Sequence, residues 1–344
     1  MQELLFTEGR IGKKRAKNRI VRSATNDHLA NLDGTISDEQ VALYETMAKN
    51  HVGTIITGHF GIDENHKAAI NQPLLTDDRF IAGAKRLADA VHLYGSLIYG
   101  QLSQGGIKCY DRPFDINTVS VDELEKTVGQ FADAAFRLKQ AGYDGAQIHL
   151  AHGYFLANVL DDTVNLRTDA YGGSPENRFR LVGEILEAVR EKCGEDFSVI
   201  VKLSANNEQL TPYDDTLLYY AKKLAECGID AIELSGSNFS KFPRDASKYF
   251  LREALLIKEQ VDLPIILVGG VSEKTAMEEV LAQGIEFVSC SRAFICEPEF
   301  VTNLMNGAEK SRCVKCWGCF RLYNTKHKNC VFLKESEQLK KVFG

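Results

Sequence analysis

Eight short apolar runs alternate with segments of helical periodicity along the chain, and this alternation constrains the fold more than any other feature. The β-branched runs cover residues 19–24, 54–58, 96–102, 144–149, 197–203, 231–235, 264–269 and 286–290. Helical patterns cover 37–50, 81–94, 121–141, 174–192, 217–227, 251–261 and 272–282, and another follows 297. A strand and a helix repeated eight times predict an α/β fold of the (β/α)8 TIM barrel type. The alternative is a doubly wound open sheet, which the lack of a GxGxxG motif after the first strand disfavours.

The composition supports one large barrel followed by a short extension. The chain has 344 residues, of which 44% are hydrophobic, enough for a sizeable core. We expect the barrel over residues 1–308 and a cysteine-rich C-terminal extension over 309–344. The net charge of -6 and the lack of a long basic run argue against a nucleic-acid partner. No long apolar span or signal peptide is evident, so we expect no membrane partner and a cytoplasmic location.

Polar and glycine residues follow the predicted strands, where a barrel carries its active site. Each of them alone fits a structural role, such as a capped loop or a surface charge. Together they predict a functional rim, which comprises Thr25, Asn26, Gly58, His59, Gln101, His149, His152, Lys202, Gly269, Gly270, Ser291 and Arg292.

The stretch 144–180 is the most specific part of this rim. Its strand ends near His149, and His152 and Tyr154 follow within five residues, so two imidazoles and a phenol converge where a strand becomes a loop. A polar run without periodicity comes next and ends at Ser174 and Pro175, a helix cap and a first-turn proline. Loops of this kind usually serve a site.

Two features of the rim predict a phosphorylated ligand. In barrels, phosphate usually binds to the loops after strands seven and eight, where Gly269 and Gly270 allow close backbone approach and Arg292 offers a bidentate partner. Lys202 ends an apolar strand, and burying its charge without an anionic partner would be costly. A phosphorylated, electron-rich ring cofactor would satisfy both requirements.

The chain resembles the old yellow enzyme family of FMN-dependent oxidoreductases over residues 5–300. The most specific motifs are KNRIVRSA at 17–24, HLAHGY at 149–154 and NLRTDAYGGSPENRFR at 165–180, with support from GQL at 100–102 and LVGG at 267–270. The resemblance implies that FMN takes hydride from NADH or NADPH and passes it to a small activated alkene, such as an α,β-unsaturated carbonyl compound.

The resemblance also implies roles for individual residues. His149 and His152 would bind the substrate carbonyl oxygen, and Tyr154 would donate the proton. Gln101 and Lys202 would contact the pyrimidine edge of the flavin. The remaining cofactor contacts would come from Ser23, Ala24, Thr25, Asn26 and Gly58 along the ring and from Gly269, Gly270, Ser291 and Arg292 at the phosphate. Departures from the family pattern at Ala24, Asn26 and Gln104 leave the substrate class open.

Four cysteines in the tail form a second constellation. Their spacing suits a [4Fe–4S] cluster or, less well, a structural zinc, and the candidate ligands are Cys313, Cys316, Cys319 and Cys330. The segment resembles the cluster-binding tail of the 2,4-dienoyl-CoA reductase branch, but has one residue fewer between the second and third cysteines. A cluster would accept electrons from a redox partner protein, whereas a tail that binds no metal remains the alternative.

Two further function classes remain open from the sequence. In a non-redox, phosphate-binding lyase or isomerase, Lys202 would form a Schiff base or act as a general base. In a binding protein, flavin would be only a structural ligand, and the histidines and Tyr154 would then have no purpose. The sequence leaves open the choice between NADH and NADPH and whether the chain forms a homo-oligomer.

Overall fold

The computed structural model describes residues 3–107, 109–110, 112–207, 213–237, 241–321 and 330–332. Its strands are β1 (Gly9–Ile11), β2 (Lys14–Ala16), β3 (Ile20–Arg22), β4 (Thr54–Ile56), β5 (Phe60–Gly61), β6 (Leu97–Ser103), β7 (Gly145–Leu150), β8 (Ser198–Ser204), β9 (Ala231–Ser235), β10 (Ile265–Val268) and β11 (Phe287–Cys290). Its α-helices are α1 (Asp38–Lys49), α2 (Ile81–His92), α3 (Val121–Gln140), α4 (Phe155–Leu160), α5 (Pro175–Cys193), α6 (Asp214–Glu226), α7 (Leu251–Lys258), α8 (Lys274–Ala282), α9 (Arg292–Cys296), α10 (Phe300–Met305) and α11 (Gly318–Arg321).

Eight parallel strands close into a barrel, which confirms the predicted fold class. The order β4, β3, β11, β10, β9, β8, β7, β6 closes on itself through the pairing of β4 with β6. The long helices α1, α2, α3, α5 and α6 lie between successive strands, and α1, α3 and α5 each begin at a serine cap. Ser37, Ser120 and Ser174 each accept a hydrogen bond from a backbone N–H of the first helical turn.

A hairpin that the sequence analysis missed closes one end of the barrel. Strands β1 and β2 pair antiparallel, and Ile11 and Ala16 are fully buried against inward-facing residues of seven barrel strands. Gly9 is required here because a Cβ would lie 2.5 Å from the ring of Phe287. Since the amino-terminal end of the barrel is filled in this way, space for a ligand is left at the carboxyl ends of the strands.

The first part of the C-terminal extension packs on the barrel. Lys310 forms a bridge with Glu273, and Ser311 donates its side-chain hydroxyl to buried Glu297 at 2.6 Å. The boundary at residue 308 stays a prediction. Among the described residues, no helix combines the length and the apolar character that crossing a membrane requires.

Candidate active site

A cavity of about 410 Å³ opens at the carboxyl ends of the barrel strands. It collects nearly every residue that the sequence analysis selected for the cofactor or for catalysis: Ser23, Ala24, Thr25, Asn26, Gln101, His149, His152, Tyr154, Lys202, Gly269, Gly270, Ser291 and Arg292. Gly58 is the exception, since it lies behind the wall. Its N–H donates to the hydroxyl of Tyr44 at 2.7 Å, and a Cβ would lie 2.8 Å from the carbonyl oxygen of Thr25, so Gly58 supports the loop without facing the cavity.

Three rings from β7 and its following loop meet beside the cavity. The centroid of His149 lies 5.1 Å from that of His152 and 5.1 Å from that of Tyr154. The tight turn that brings them together places His152 at φ 66°, a conformation that a non-glycine residue adopts at some cost. Nε2 of His152 lies 2.8 Å from the hydroxyl of Ser235 at the end of β9, which fixes the ring.

His149 is a neutral imidazole, and one of its ring nitrogens is available for a hydrogen bond to a ligand. It is 3% exposed, and burial lowers its pKa well below the usual value, with the charges of His152, Lys202 and His59 lowering that pKa further. Its Nδ1 atom is buried and has no hydrogen-bond partner among the described residues. Because leaving such an atom unsatisfied is costly, the ring is suited to a ligand oxygen or N–H group.

Lys202 has its anionic partner inside the protein. Its Nζ atom lies 3.2 Å from Oε2 of Glu233 and donates to the hydroxyl of Ser23 at 2.7 Å. Burial alone would raise the pKa of Glu233, but Lys202 and the hydrogen bonds from Ser289, Ser23 and Gln147 lower it. The expectation that Lys202 requires an anionic ligand is therefore corrected, because Glu233 already compensates its charge while Lys202 still lines the cavity.

Arg292 and a glycine pair form the opposite end of the cavity. Gly269 and Gly270 adopt φ 125° and 74°, values that L side chains rarely reach, and they expose backbone to the cavity. The guanidinium carbon of Arg292 lies 3.6 Å from the centroid of the Trp317 ring. Its Nη1 atom is buried and lacks a hydrogen-bond partner in the described part of the chain. A guanidinium nitrogen that is buried without a partner beside an open glycine turn is suited to a phosphate.

Two small hydroxyl residues connect neighbouring loops of the cavity wall. Oγ1 of Thr25, which follows β3, lies 2.8 Å from Oγ of Ser291, which follows β11. These strands are neighbours in the barrel, so the bond connects the first and last loops of the rim. Asn26 accepts a hydrogen bond from the N–H of His28 and still lines the cavity.

His59, which the sequence placed on the rim after the second barrel strand, also lines the cavity, and its ring centroid lies 5.0 Å from that of Tyr154. Three other aromatic residues of the cavity were not selected from the sequence. Tyr249 and Phe250 precede α7 and lie against the glycine pair, where a Cβ on Gly270 would be 2.7 Å from Tyr249. Trp317 reaches the site from the extension. No local pattern marks these last three aromatic residues as parts of a site.

The tail cysteines approach the barrel but do not form a metal site as they stand. Cys313 lines the cavity, and the side chain of Cys330 hydrogen-bonds to that of Cys296 in α9. Within the described ranges, no three His, Cys, Asp or Glu side chains are placed to hold a metal ion. The predicted [4Fe–4S] or zinc centre therefore remains a prediction without structural support.

A phosphorylated ring cofactor such as FMN fits the donors of this cavity. The buried Nη1 atom of Arg292 and the exposed backbone at the glycine pair suit its phosphate. The amide of Gln101 and the ammonium of Lys202 suit the polar edge of a ring, and His149 offers an unsatisfied nitrogen to a second ligand.

Comparison with known proteins identifies the family of the chain. Residues 4–311 match the NADH:flavin oxidoreductase / NADH oxidase family. An NADH oxidase from Thermoanaerobacter brockii is 31% identical over 345 residues, which cover 91% of this chain and 52% of that protein. The chain therefore belongs to the NADH:flavin oxidoreductase / NADH oxidase family, and it spans about half the length of that relative.

Solved structures agree on the fold. A 2-naphthoyl-CoA reductase in complex with 2-naphthoyl-CoA superimposes with a TM-score of 0.86 at 23% identity, covering 94% of this chain and 56% of its own. An old yellow enzyme homologue from Zymomonas mobilis superimposes with a TM-score of 0.77 at 23% identity, covering 91% and 96%. The predicted family and barrel are thus confirmed. The resemblance of the tail to the 2,4-dienoyl-CoA reductase branch stays a prediction.

Proposed function

We propose that the chain is an FMN-dependent oxidoreductase of the ene reductase type, which uses NADH or NADPH to reduce an activated alkene such as an α,β-unsaturated carbonyl compound. The observation that carries the proposal is the group formed by His149, His152 and Tyr154 on the same cavity as Lys202 and Arg292. Family membership supports the flavin and the nicotinamide reductant.

The cofactor would be held by residues at both ends of the cavity. Arg292 and the backbone at Gly269 and Gly270 would bind its phosphate, and Gln101 and Lys202 would bind the ring edge. When bound, FMN supplies hydride transfer between the nicotinamide and the alkene. The hydroxyls of Ser23, Thr25 and Ser291 hydrogen-bond to other residues in the wall, so they define its shape.

The histidines and Tyr154 act on the substrate. Each imidazole donates a hydrogen bond to the substrate carbonyl oxygen, where negative charge develops as the alkene accepts hydride. His149 donates as a neutral ring, because burial keeps its pKa well below neutrality. The phenol of Tyr154 donates a proton to the carbon beside the carbonyl group, a step in which general acids contribute about 10²–10⁴ in rate.

The proposal is tested by a spectrum and two additions. Protein purified without air should show flavin absorption that NADH or NADPH bleaches and that an enone such as 2-cyclohexenone restores, still without air. Denatured protein should release FMN and not riboflavin. A colourless protein that shows no flavin after incubation with FMN would refute the proposal. Bleaching by NADH or NADPH without reoxidation by any enone would refute the part of the proposal that names an activated alkene as the substrate.

The lyase or isomerase alternative finds less support in the cavity. A Schiff-base lysine must be a free amine that can reach the substrate. Burial lowers the pKa of Lys202, but the ion pair with Glu233 at 3.2 Å opposes that shift, and the bonds to Glu233 and Ser23 hold the Nζ atom in the wall. Treatment with borohydride and a ketose phosphate should therefore leave the mass of the chain unchanged.

The tail supports a second candidate, in which a redox partner protein supplies electrons singly. The cysteine spacing and the position of Cys313 on the cavity wall favour it. Among the described residues, no three such side chains are placed to hold a metal ion, so we derive no electron path through a metal centre.

A further inference from the structure

A buried chain of polar side chains lies behind the cavity wall. Nε2 of Gln101 donates to Oε1 of Gln147 at 2.8 Å, and Nε2 of Gln147 donates to Oε2 of Glu233 at 2.9 Å. Gln147 and Glu233 are both 0% exposed, and neither lines the cavity, whereas Gln101 and Lys202 do. These hydrogen bonds therefore link the carboxylate of Glu233, which lies outside the cavity, to the amide of Gln101, which lines the cavity.

The negative charge on Glu233 determines the orientation of the two amide groups in this hydrogen-bonded series. An ionised carboxylate only accepts hydrogen bonds, and Glu233 accepts from Ser289 on Oε1 and from Gln147 on Oε2. Gln147 must therefore turn its NH₂ group toward Glu233 and its oxygen toward Gln101. Gln101 in turn must donate its nitrogen inward, which leaves its oxygen Oε1 for the cavity. This orientation follows from the carboxylate of Glu233, which can only accept hydrogen bonds.

The same carboxylate fixes the donor beside this acceptor. Glu233 faces the ammonium of Lys202, which has three N–H bonds. One points toward Glu233 and a second donates to Ser23, which leaves the third for a ligand. The inner wall thus offers an acceptor at Gln101 and a donor at Lys202.

We propose that Glu233 and Gln147 are positioning residues that set this polarity, so that the inner wall binds an imide edge, in which a ring N–H lies next to a carbonyl oxygen. Gln101 would accept from the ring N–H, and Lys202 would donate to the carbonyl oxygen. The inference rests on the proposed function, because the pyrimidine ring of a flavin carries such an edge. It adds two residues that never touch the ligand.

The test uses FMN-loaded protein in which the flavin carries ¹⁵N. In Gln147→Met, the cavity wall keeps its shape but Gln101 is free to turn. We expect the proton resonance of the flavin ring N–H to move upfield, as a lost hydrogen bond would move it, and FMN to dissociate with a constant about fivefold higher. Glu233→Gln, a change of nearly equal volume, should shift the resonance in the same direction because its amide can face either way.

A double variant and a matched control make the result decisive. Gln101→Met with Gln147→Met should shift the resonance no further than Gln101→Met alone, because both act through one contact. Glu286→Gln removes a carboxylate that pairs with Lys258 away from the cavity, and it should leave the resonance in place.

The outcomes separate this inference from the proposed function. Variants that bind FMN with an unshifted ring N–H resonance would overturn the inference, whatever their stability, because a purely structural role lowers stability without moving that resonance. Wild-type protein that binds no FMN would instead overturn the proposed function.

Discussion

Replacing Arg292 should separate the affinity for FMN from the affinity for riboflavin. The guanidinium stacks on Trp317, and its Nη1 atom is buried without a partner among the described residues. A bond from that atom to a phosphate would be charge-assisted and is worth about 1.5–3 kcal/mol. Arg292→Met keeps most of the apolar stem and removes the charge, so the dissociation constant of FMN should rise about 10- to 150-fold.

The assay is titration of the flavin-free protein, followed by the loss of flavin fluorescence. Riboflavin has the same ring without the phosphate, so its affinity should be nearly the same in wild type and in Arg292→Met. Arg292→Lys should fall between the two proteins, because an ammonium keeps the charge but not the planar fork. Arg312→Met, which removes an exposed arginine from the same extension, serves as the control and should bind FMN normally.

Equal losses for FMN and riboflavin in Arg292→Met would refute the reasoning. Such a result would mean that Arg292 shapes the cavity through its contact with Trp317. Trp317→Leu provides a separate check, since it removes the stacking partner but leaves the guanidinium, and it should weaken FMN binding less than Arg292→Met does.

Three further predictions concern catalysis, stability and the tail. Tyr154→Phe should slow enone reduction by about 10²–10⁴ but leave flavin reduction by the nicotinamide nearly intact in stopped-flow traces; an unchanged enone rate would exclude the phenol as proton donor. His149 stays neutral when folded but binds a proton below about pH 6.5 when unfolded, so its stabilising effect is present above that pH and lost as pH falls. Between pH 7 and 5, urea unfolding should show wild type losing more stability than His149→Asn, and parallel curves would contradict the depressed pKa. Metal analysis of protein purified without air should give about four irons per chain for a cluster and one zinc for a structural site. Finding neither iron nor zinc would reject both kinds of metal site.

The strands were predictable because each is a continuous buried run whose pattern is local. The run at 231–235 coincides with β9, and most other strands and long helices begin or end within a few residues of their predicted bounds. The hairpin of β1 and β2 was missed for an equally local reason. Its strands have three residues each, with a charged residue in both, so no apolar run marks them. Ile11 and Ala16 are its buried side chains with a Cβ, and they pack against strands far away in the sequence.

The site was predictable as a set of positions but not as a set of partners. Strand ends meet on one rim of a barrel, so most of the selected residues line one cavity. The partner of Lys202 appears only when β8 pairs with β9 in the register that sets Lys202 beside Glu233. Within its own strand, Glu233 is one polar residue in an apolar run. Trp317 likewise meets Arg292 only because the extension folds back over the barrel.

The distribution of charge in the cavity favours one orientation of the ligand. At the inner wall, Glu233 compensates the charge of Lys202 at 3.2 Å, so this end offers oriented hydrogen bonds and little net charge. At the other end, Arg292 faces the ring of Trp317, which stabilises a cation but does not neutralise it. An anionic group therefore gains more binding free energy at Arg292 than at Lys202. A neutral imide loses less binding free energy at the inner wall than an anion would. A ligand with a phosphate at one end and a polar ring at the other is thereby held in a single orientation.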